Sequence, residues 1–271
     1  IPSLNKILLM FNRLKLSGDA VNKISTLLRE FDKNQTLELK KNKIIDKIDF
    51  NNLIIKNLFF KYSKRNKEIL NNVNLNIKKN SFIGIKGESG AGKSTLIDLI
   101  LGLISPTKGE IYLDNQLISN IVDEWQRSIG YVPQNIFLSA GSIKKNIAFG
   151  VTEDEIDDNL INDVLIKSSL NKFVDDLNNG IETQIGEGGA LISGGQRQRI
   201  GIARALYNKP KILIFDEATS ALDIDTENEI LMEMNKLKSE ITMISISHRQ
   251  NTIKYCDETY NLEDGLLKKL K

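Results

Sequence analysis

The chain has very little cysteine, a single histidine and no long apolar run. Among its 271 residues, Cys256 is the sole cysteine, which excludes an internal disulfide framework and a multi-cysteine zinc site and fits a reducing compartment. Charge of one sign is lacking too: the formal net charge is +2 with 27% of residues charged. Composition therefore makes no electrostatic case for nucleic acid as the main partner. The apolar stretch 96–104 carries Asp98 and falls far short of the ~20 residues a membrane-spanning helix needs. The first residue is Ile1 rather than methionine, with no signal peptide behind it, so a fragment of a longer protein is the expectation. Internal repeats are absent. What remains is length enough to bury a real core, in one large domain or two modest ones.

Residues 1–31 read as helix, with Leu4, Leu8, Phe11 and Leu14 at helical spacing and a possible break at Ser17-Gly18-Asp19. Val21, Ile24, Leu27, Leu28 and Phe31 form a second amphipathic run, of a kind that more often packs or is solvated than couples to a partner. Residues 32–48, rich in Asn, Lys and Asp, read as a linker, and Lys40, Lys41, Lys43 and Lys47 as its solvated basic face. From Leu53 the pattern changes to short strands. Leu53–Tyr62 and Ile69–Ile77 look antiparallel, and Phe82–Lys86 is an apolar run that feeds into a glycine-rich loop, with a helix expected over Ser94–Ile104. Ile212–Phe215 and Met243–Ser247 are further buried-strand candidates. Between them and the loop, about 134–208 is mostly helical, with helix signals at Ile156–Ser169 and Gln196–Tyr207. The expected fold class is α/β: a P-loop NTPase core with an antiparallel β subdomain and an inserted helical subdomain.

The loop Gly87-Glu88-Ser89-Gly90-Ala91-Gly92-Lys93-Ser94, followed by Thr95, fits the phosphate-binding pattern G-x-x-x-x-G-K-[ST]. Its glycines let backbone N–H groups approach phosphate oxygens, and the following helix N-terminus adds to the anion site. Lys93 supplies a point charge for the β- and γ-phosphates, and the Ser94 hydroxyl is placed to ligate Mg²⁺. Ile212–Phe215 ends in Asp216-Glu217. Alone, that pair also describes a solvent-exposed strand end. With a phosphate loop upstream, Asp216 becomes a partner of Mg²⁺, and Glu217 stands where a carboxylate can polarise the attacking water. His248, the only histidine, follows the strand candidate Met243–Ser247, where open parallel sheets hold ligands. Ser193-Gly194-Gly195-Gln196 opens a helix and makes a second anion-binding N-terminus, one more than a single triphosphate needs.

GESGAGKS, ISGGQ and ILIFDEA, in that order along the chain, resemble the ATP-binding-cassette (ABC) ATPases over essentially all of 49–271. The resemblance implies ATP bound by Tyr62 (adenine stacking, within Phe60-Lys61-Tyr62) and by residues 87–95, Gln134 and Asp216. It further implies Mg²⁺ held by Ser94, Gln134 and Asp216, and His248 on the γ-phosphate. It also implies that two cassettes pair head to tail, so that Ser193, Gly194, Gly195 and Gln196 of one close over ATP held by the other. Ser220, Ala221, Leu222 and Asp223 resemble the D-loop at that interface. Lys93, Glu217 and His248 are then the catalytic set.

Ser142-Ile143-Lys144-Lys145-Asn146-Ile147-Ala148-Phe149-Gly150 and Thr183-Gln184-Ile185-Gly186-Glu187-Gly188-Gly189 resemble segments of ABC exporters, although Gly188 stands where many exporters carry arginine, and Ile192 where leucine is commoner. Ile1-Pro2-Ser3-Leu4-Asn5-Lys6-Ile7 resembles the cytosolic end of the last membrane helix in lipid-linked oligosaccharide flippases, and Gly186-Glu187-Gly188-Gly189 resembles that branch too. These likenesses imply an exporter ATPase at the cytoplasmic face of the bacterial inner membrane, with a transmembrane domain upstream in the same polypeptide and a second cassette, as in a homodimer, as partner. A multidrug, lipid or peptide exporter is the alternative cargo class. An importer ATPase subunit would lack the leading helix. DNA-organising relatives would carry long coiled coils or zinc modules between Ser94 and Ile192, which this chain does not. A degenerate cassette that binds ATP structurally would not keep Lys93, Asp216, Glu217 and His248 together.

Overall fold

The computed structural model of the chain describes residues 6, 10, 11, 18, 21–29, 48–63, 67–218, 224–247 and 249–270. They divide into two compact units, Ile1–Asp46 and Lys47–Lys271. In the first, all described residues are helical, with helix α1 continuous over residues 21–29. Gly18, in the expected break, is itself helical, while Ser17, Asp19 and the linker positions 32–47 lie outside the described residues. Val21, Ile24, Leu27 and Leu28 of α1 are exposed.

The second unit holds two sheets. The first is antiparallel, in the order β2-β1-β4-β5, from β1 (Asn52–Phe60), β2 (Leu70–Lys78), β4 (Lys108–Leu113) and β5 (Gln116–Leu117). Its strands alternate buried and outward residues: Leu53, Ile55, Leu58 and Phe60 of β1 face inward. That is the period of a sheet with one face in the core. The second sheet runs β10-β9-β3-β8-β7-β6, from β3 (Phe82–Lys86), β6 (Ile129–Val132), β7 (Ile212–Asp216), β8 (Thr242–Ile246), β9 (Glu258–Glu263) and β10 (Leu266–Lys269). All its pairings are parallel except that of β10 with β9.

The second sheet is covered on both faces, and its strands divide their side chains between two cores. Ile212 and Ile214 of β7, Ile244 and Ile246 of β8, and Ile83 and Ile85 of β3 join the cluster shared with the antiparallel sheet and helix α2 (Lys93–Ile100). Leu213, Phe215, Met243 and Phe82 join the cluster on the helical side. A strand buried on both faces must be apolar at nearly every position, which is why FIGIK, ILIFD and TMISI read as continuous runs.

Helix α2 is shorter than the expected Ser94–Ile104. It stops at Ile100 because Gly102 takes φ 70° and the amides of Gly102 and Leu103 turn back to Leu99 O and Asp98 O, a Schellman end. The last carbonyls find partners on α3 (Val122–Arg127): Trp125 Nε1 donates to Ile100 O at 2.6 Å and Gln126 Nε2 to Leu101 O at 3.0 Å. Between β6 and β7 the chain is helical, with α4 (Ile143–Ile147), α5 (Asp158–Lys167), α6 (Asn171–Asp175) and α7 (Gly194–Tyr207). Helix α5 begins two residues later than the expected Ile156, because the Asp157 side chain caps it by accepting from the Asn159 and Leu160 amides. Helices α8 (Ile224–Lys236) and α9 (Gln250–Tyr255) follow β7 and β8.

Candidate functional site

Because β3, β7 and β8 are parallel, their carboxyl ends lie on one edge of the sheet, where open α/β sheets hold ligands. The loop after β3 is shaped by two glycines. A Cβ on Gly87 would sit 2.2 Å from the Leu262 carbonyl oxygen, and one on Gly92, at φ 101°, would sit 2.9 Å from Ile69 Cγ2. Gly92 is the N-cap of α2, which has neither a side-chain cap nor an acidic residue in its first turn. Its positive end is therefore offered to an anion.

Lys93 is almost wholly buried. Its ammonium donates to Gly87 O at 2.8 Å and Glu88 O at 2.9 Å, and lies 3.9 Å from Glu217 Oε1. Tyr62, 40% exposed, stands edge-on to Phe60 with ring centroids 4.9 Å apart, and its hydroxyl lies 3.4 Å from Thr95 Oγ1. The cleft over the loop is lined by Tyr62, Lys93, Ser94, Gln134, Asp216 and Glu217, among others. The structure thus gathers most of the expected cis-site residues. Ser193–Gln196 do not line that cleft, and His248 and Ser220, Ala221, Leu222 and Asp223 lie outside the described residues.

At the end of β7 the backbone turns sharply. Glu217 adopts φ 50°, a left-handed conformation that costs a non-glycine residue about 1–3 kcal/mol unless its surroundings impose it. Its amide donates to Ile246 O at 3.0 Å, tying it to β8, and Gln134 Nε2 donates to its Oε2 at 2.9 Å. Next to it, Tyr131 on β6 donates its hydroxyl to Asp216 Oδ2 at 3.2 Å. Burial pushes the Asp216 carboxyl above its ordinary value; the Tyr131 hydrogen bond and Lys93 oppose this, and Glu217 and Asp98 add to it. Burial, then the Asp216 charge, also raises the Tyr131 phenol. The contact of Tyr131 with Asp216 was not legible in the sequence, where Tyr131 is one aromatic in a short strand; it follows from the β6–β7 pairing, which sets Tyr131 beside Ile214, two residues before Asp216.

The donor set suits a hard divalent cation: the Ser94 hydroxyl, the Asp216 carboxylate and the Gln134 amide all open on the same cleft. A carboxylate pushed toward protonation by burial, and further by neighbouring carboxylates, is a place where a cation restores the charged form. No cluster of three or more His, Cys, Asp or Glu able to cage a metal occurs among the described residues.

The second glycine pair opens helix α7 at Gly194 rather than at the expected Gln196, because Ser193 is the N-cap. Ser193 Oγ accepts from the Gln196 amide at 3.2 Å, and Gln196 Oε1 accepts from the Ser193 amide at 2.8 Å, a reciprocal capping box. Around the Cβ position of Gly194 the space is open. The exporter-like segments meet: the Ile143 amide donates to Thr183 O at 3.1 Å and the Ile185 amide to Gly141 O at 3.0 Å. Asn146, fully buried, donates to Ser139 O and Ser142 O, while Arg204 donates to Asn146 O and Phe137 O.

Comparison with known proteins matches residues 70–220 to the profile of the ABC transporter family. A putative export ATP-binding/permease protein of Rickettsia typhi is 43% identical over 212 residues, covering 78% of this chain and 36% of that protein. A leukotoxin translocation ATP-binding protein of Mannheimia glucosida is 43% identical over 214 residues, covering 79% of this chain and 30% of that protein. Among solved structures, a bacterial Atm1-family ABC exporter with ATP bound superposes with a TM-score of 0.75 at 32% identity, over 95% of this chain and 46% of the exporter. The chain thus spans less than half the length of each of these relatives.

Proposed function

The chain belongs to the ABC transporter family, as an ATP-hydrolysing domain, and we propose from that premise that it powers an exporter as one half of a head-to-tail, ATP-closed dimer. The observation that carries the proposal is the convergence of Lys93, Asp216, Glu217 and Gln134 on one cleft at the ends of parallel strands. In this reading the amides of 87–95 and the Lys93 ammonium bind the phosphates, and Tyr62 stacks on adenine. Lys93 exchanges its bonds to Gly87 O and Glu88 O for phosphate oxygens. Glu217, braced by Gln134 and by its left-handed backbone, accepts a proton from water. The water oxygen attacks the γ-phosphorus as the bond to the β-phosphate oxygen breaks, leaving ADP and phosphate. Bound Mg²⁺, held by Ser94, Asp216 and Gln134, would offset charge on the β- and γ-phosphates.

Ser193–Gln196 complete the site from the partner cassette, with residues 220–223 at the interface and His248 on the γ-phosphate. A cassette that prefers the closed dimer when ATP is bound converts that difference in affinity into motion of attached membrane segments. Residues 1–31 would continue a transmembrane domain, 32–48 would link it to the cassette at 49–271, and the assembly would sit at the cytoplasmic face of a bacterial inner membrane. We propose a lipid-linked oligosaccharide as cargo, on the likeness of Ile1–Ile7 and of Gly186–Gly189. A protein or peptide cargo is the second reading, favoured by the leukotoxin translocation relative.

Sedimentation velocity of Glu217→Gln with and without ATP tests the engine. We expect ATP turnover to fall by at least about a hundredfold, the scale of a lost general base, with a nucleotide-dependent dimer. Normal turnover in that variant would sink the assignment.

A further inference from the structure

Beside position 248 lies a buried polar network that the proposed chemistry leaves unused. Glu227 stands in the first turn of α8, with its side chain 1% exposed. Arg249 Nη1 donates to its Oε2 at 3.1 Å, and Thr252 Oγ1 donates to its Oε1 at 3.2 Å. Ser247 Oγ donates to Thr252 Oγ1 at 3.2 Å and accepts from the Arg249 amide at 3.0 Å. The carboxylate therefore holds Arg249 and Thr252 directly and reaches Ser247 through the Thr252 hydroxyl, so that the network includes residues on both sides of His248 in the chain. Burying a carboxylate is costly unless it is paired and hydrogen-bonded, and an apolar side chain of similar size could fill the same space without that cost. A charge here calls for a reason beyond packing.

We propose that Glu227 is a positioning residue for His248. It anchors Arg249 and Thr252 to α8, and through Thr252 also Ser247, the described residues that flank position 248 in the chain. The inference rests on the ATPase reading above and adds a residue to it.

The test is a double-mutant cycle on the chain, reading the affinities for ATP and ADP in the presence of Mg²⁺ by displacement of a fluorescent nucleotide, with thermal unfolding followed in parallel. The four proteins are the parent, Glu227→Gln, His248→Ala and the double variant. Glu227→Gln is expected to weaken ATP about tenfold, the usual effect of removing a group that orients a ligand-binding side chain, and to leave ADP nearly unchanged. In the His248→Ala background it should cost nothing further, because the residue it positions is gone. Equal weakening of both nucleotides, full additivity with His248→Ala, or a silent Glu227→Gln each overturns the proposal. Should Glu227→Gln show no cooperative unfolding, Thr252→Val removes one of the carboxylate's bonds, keeps the ion pair, and is read by the same criteria. A parent chain that binds neither nucleotide overturns the ATPase reading and this inference with it. A parent that binds both, with additive variants, overturns this inference alone.

Discussion

Asp216 carries the clearest conflict between folding and function in the cleft. Its carboxyl is held above the ordinary value by burial and by Glu217 and Asp98, so the folded chain binds its proton more tightly than the unfolded chain does. The linkage then has a definite sign: the contribution to stability is full below the unfolded value and is lost as pH rises through the raised folded value. Where the side chain is ionised it is thus a burden that a bound cation would relieve. Asp216→Asn, whose amide oxygen can still accept from Tyr131, is expected to raise the unfolding midpoint at pH 7 while abolishing Mg²⁺-dependent ATP turnover. An unchanged or lowered midpoint at pH 7 would refute it. Glu217 shows a related tension, since its left-handed backbone is strain that the bond to Ile246 O must maintain. From the sequence, Asp216 and Glu217 were legible as a pair of acids after an apolar run. The strain and the Tyr131 contact were not, because both depend on which strands lie beside β7.

At the scale of elements, runs with a single physical cause were read well. Phe82–Lys86 and Ile212–Phe215 match β3 and β7 to within a residue, since strands buried on both faces leave little choice of residue. Helix α2 was overrun because Leu101, Leu103 and Ile104 continue the apolar run, while its end is set by Gly102 and by Trp125 reaching in from α3. Trp125 is fully buried, and its indole N–H satisfies the terminal carbonyl of α2. Trp125→Phe removes that donor and part of the ring, and should cost about 1–3 kcal/mol for the buried carbonyl left unpaired. A shift in the urea midpoint at constant slope would measure it; no shift would show that water takes over the bond. Strands β6 and β9 went unread. IGYV is four residues long, and ETYNLE exposes or half-exposes Glu258, Asn261 and Glu263, so neither carries the continuous apolar signal of β3 or β7.

On the scale of the whole molecule, the two anion-binding helix ends are separate: α2 opens on the cleft, while Ser193–Gln196 at the start of α7 do not line it. That separation is what makes a second cassette the natural complement. Gly194 offers a direct probe, because a Cβ there meets nothing within 4 Å, while a longer side chain would stand in the proposed dimer face. Gly194→Arg combined with Glu217→Gln is expected to bind ATP as a monomer and to sediment as one. An ATP-dependent dimer in that double variant would show that this face is not the interface. The exporter-like segments 142–150 and 183–189, far apart in sequence, join through the amides of Ile143 and Ile185 and give the helical half one connected surface.

The sequence by itself determined the phosphate-loop pattern, the acidic pair after β7, the glycine pair at Ser193–Gln196 that precedes a helix, and the α/β class. Each is a local pattern in which residue type and spacing carry the chemistry. Only the tertiary structure decided that Lys93 folds back onto Gly87 and Glu88, that Gln134 and Tyr131 hold Glu217 and Asp216, and that Glu227 holds Arg249 and Thr252. The bonds of Gln134 to Glu217 and of Tyr131 to Asp216 join residues 83 and 85 positions apart, and those of Glu227 span 22 and 25. Strand order and helix packing bring them together, and spacing along a chain does not encode either in any short window.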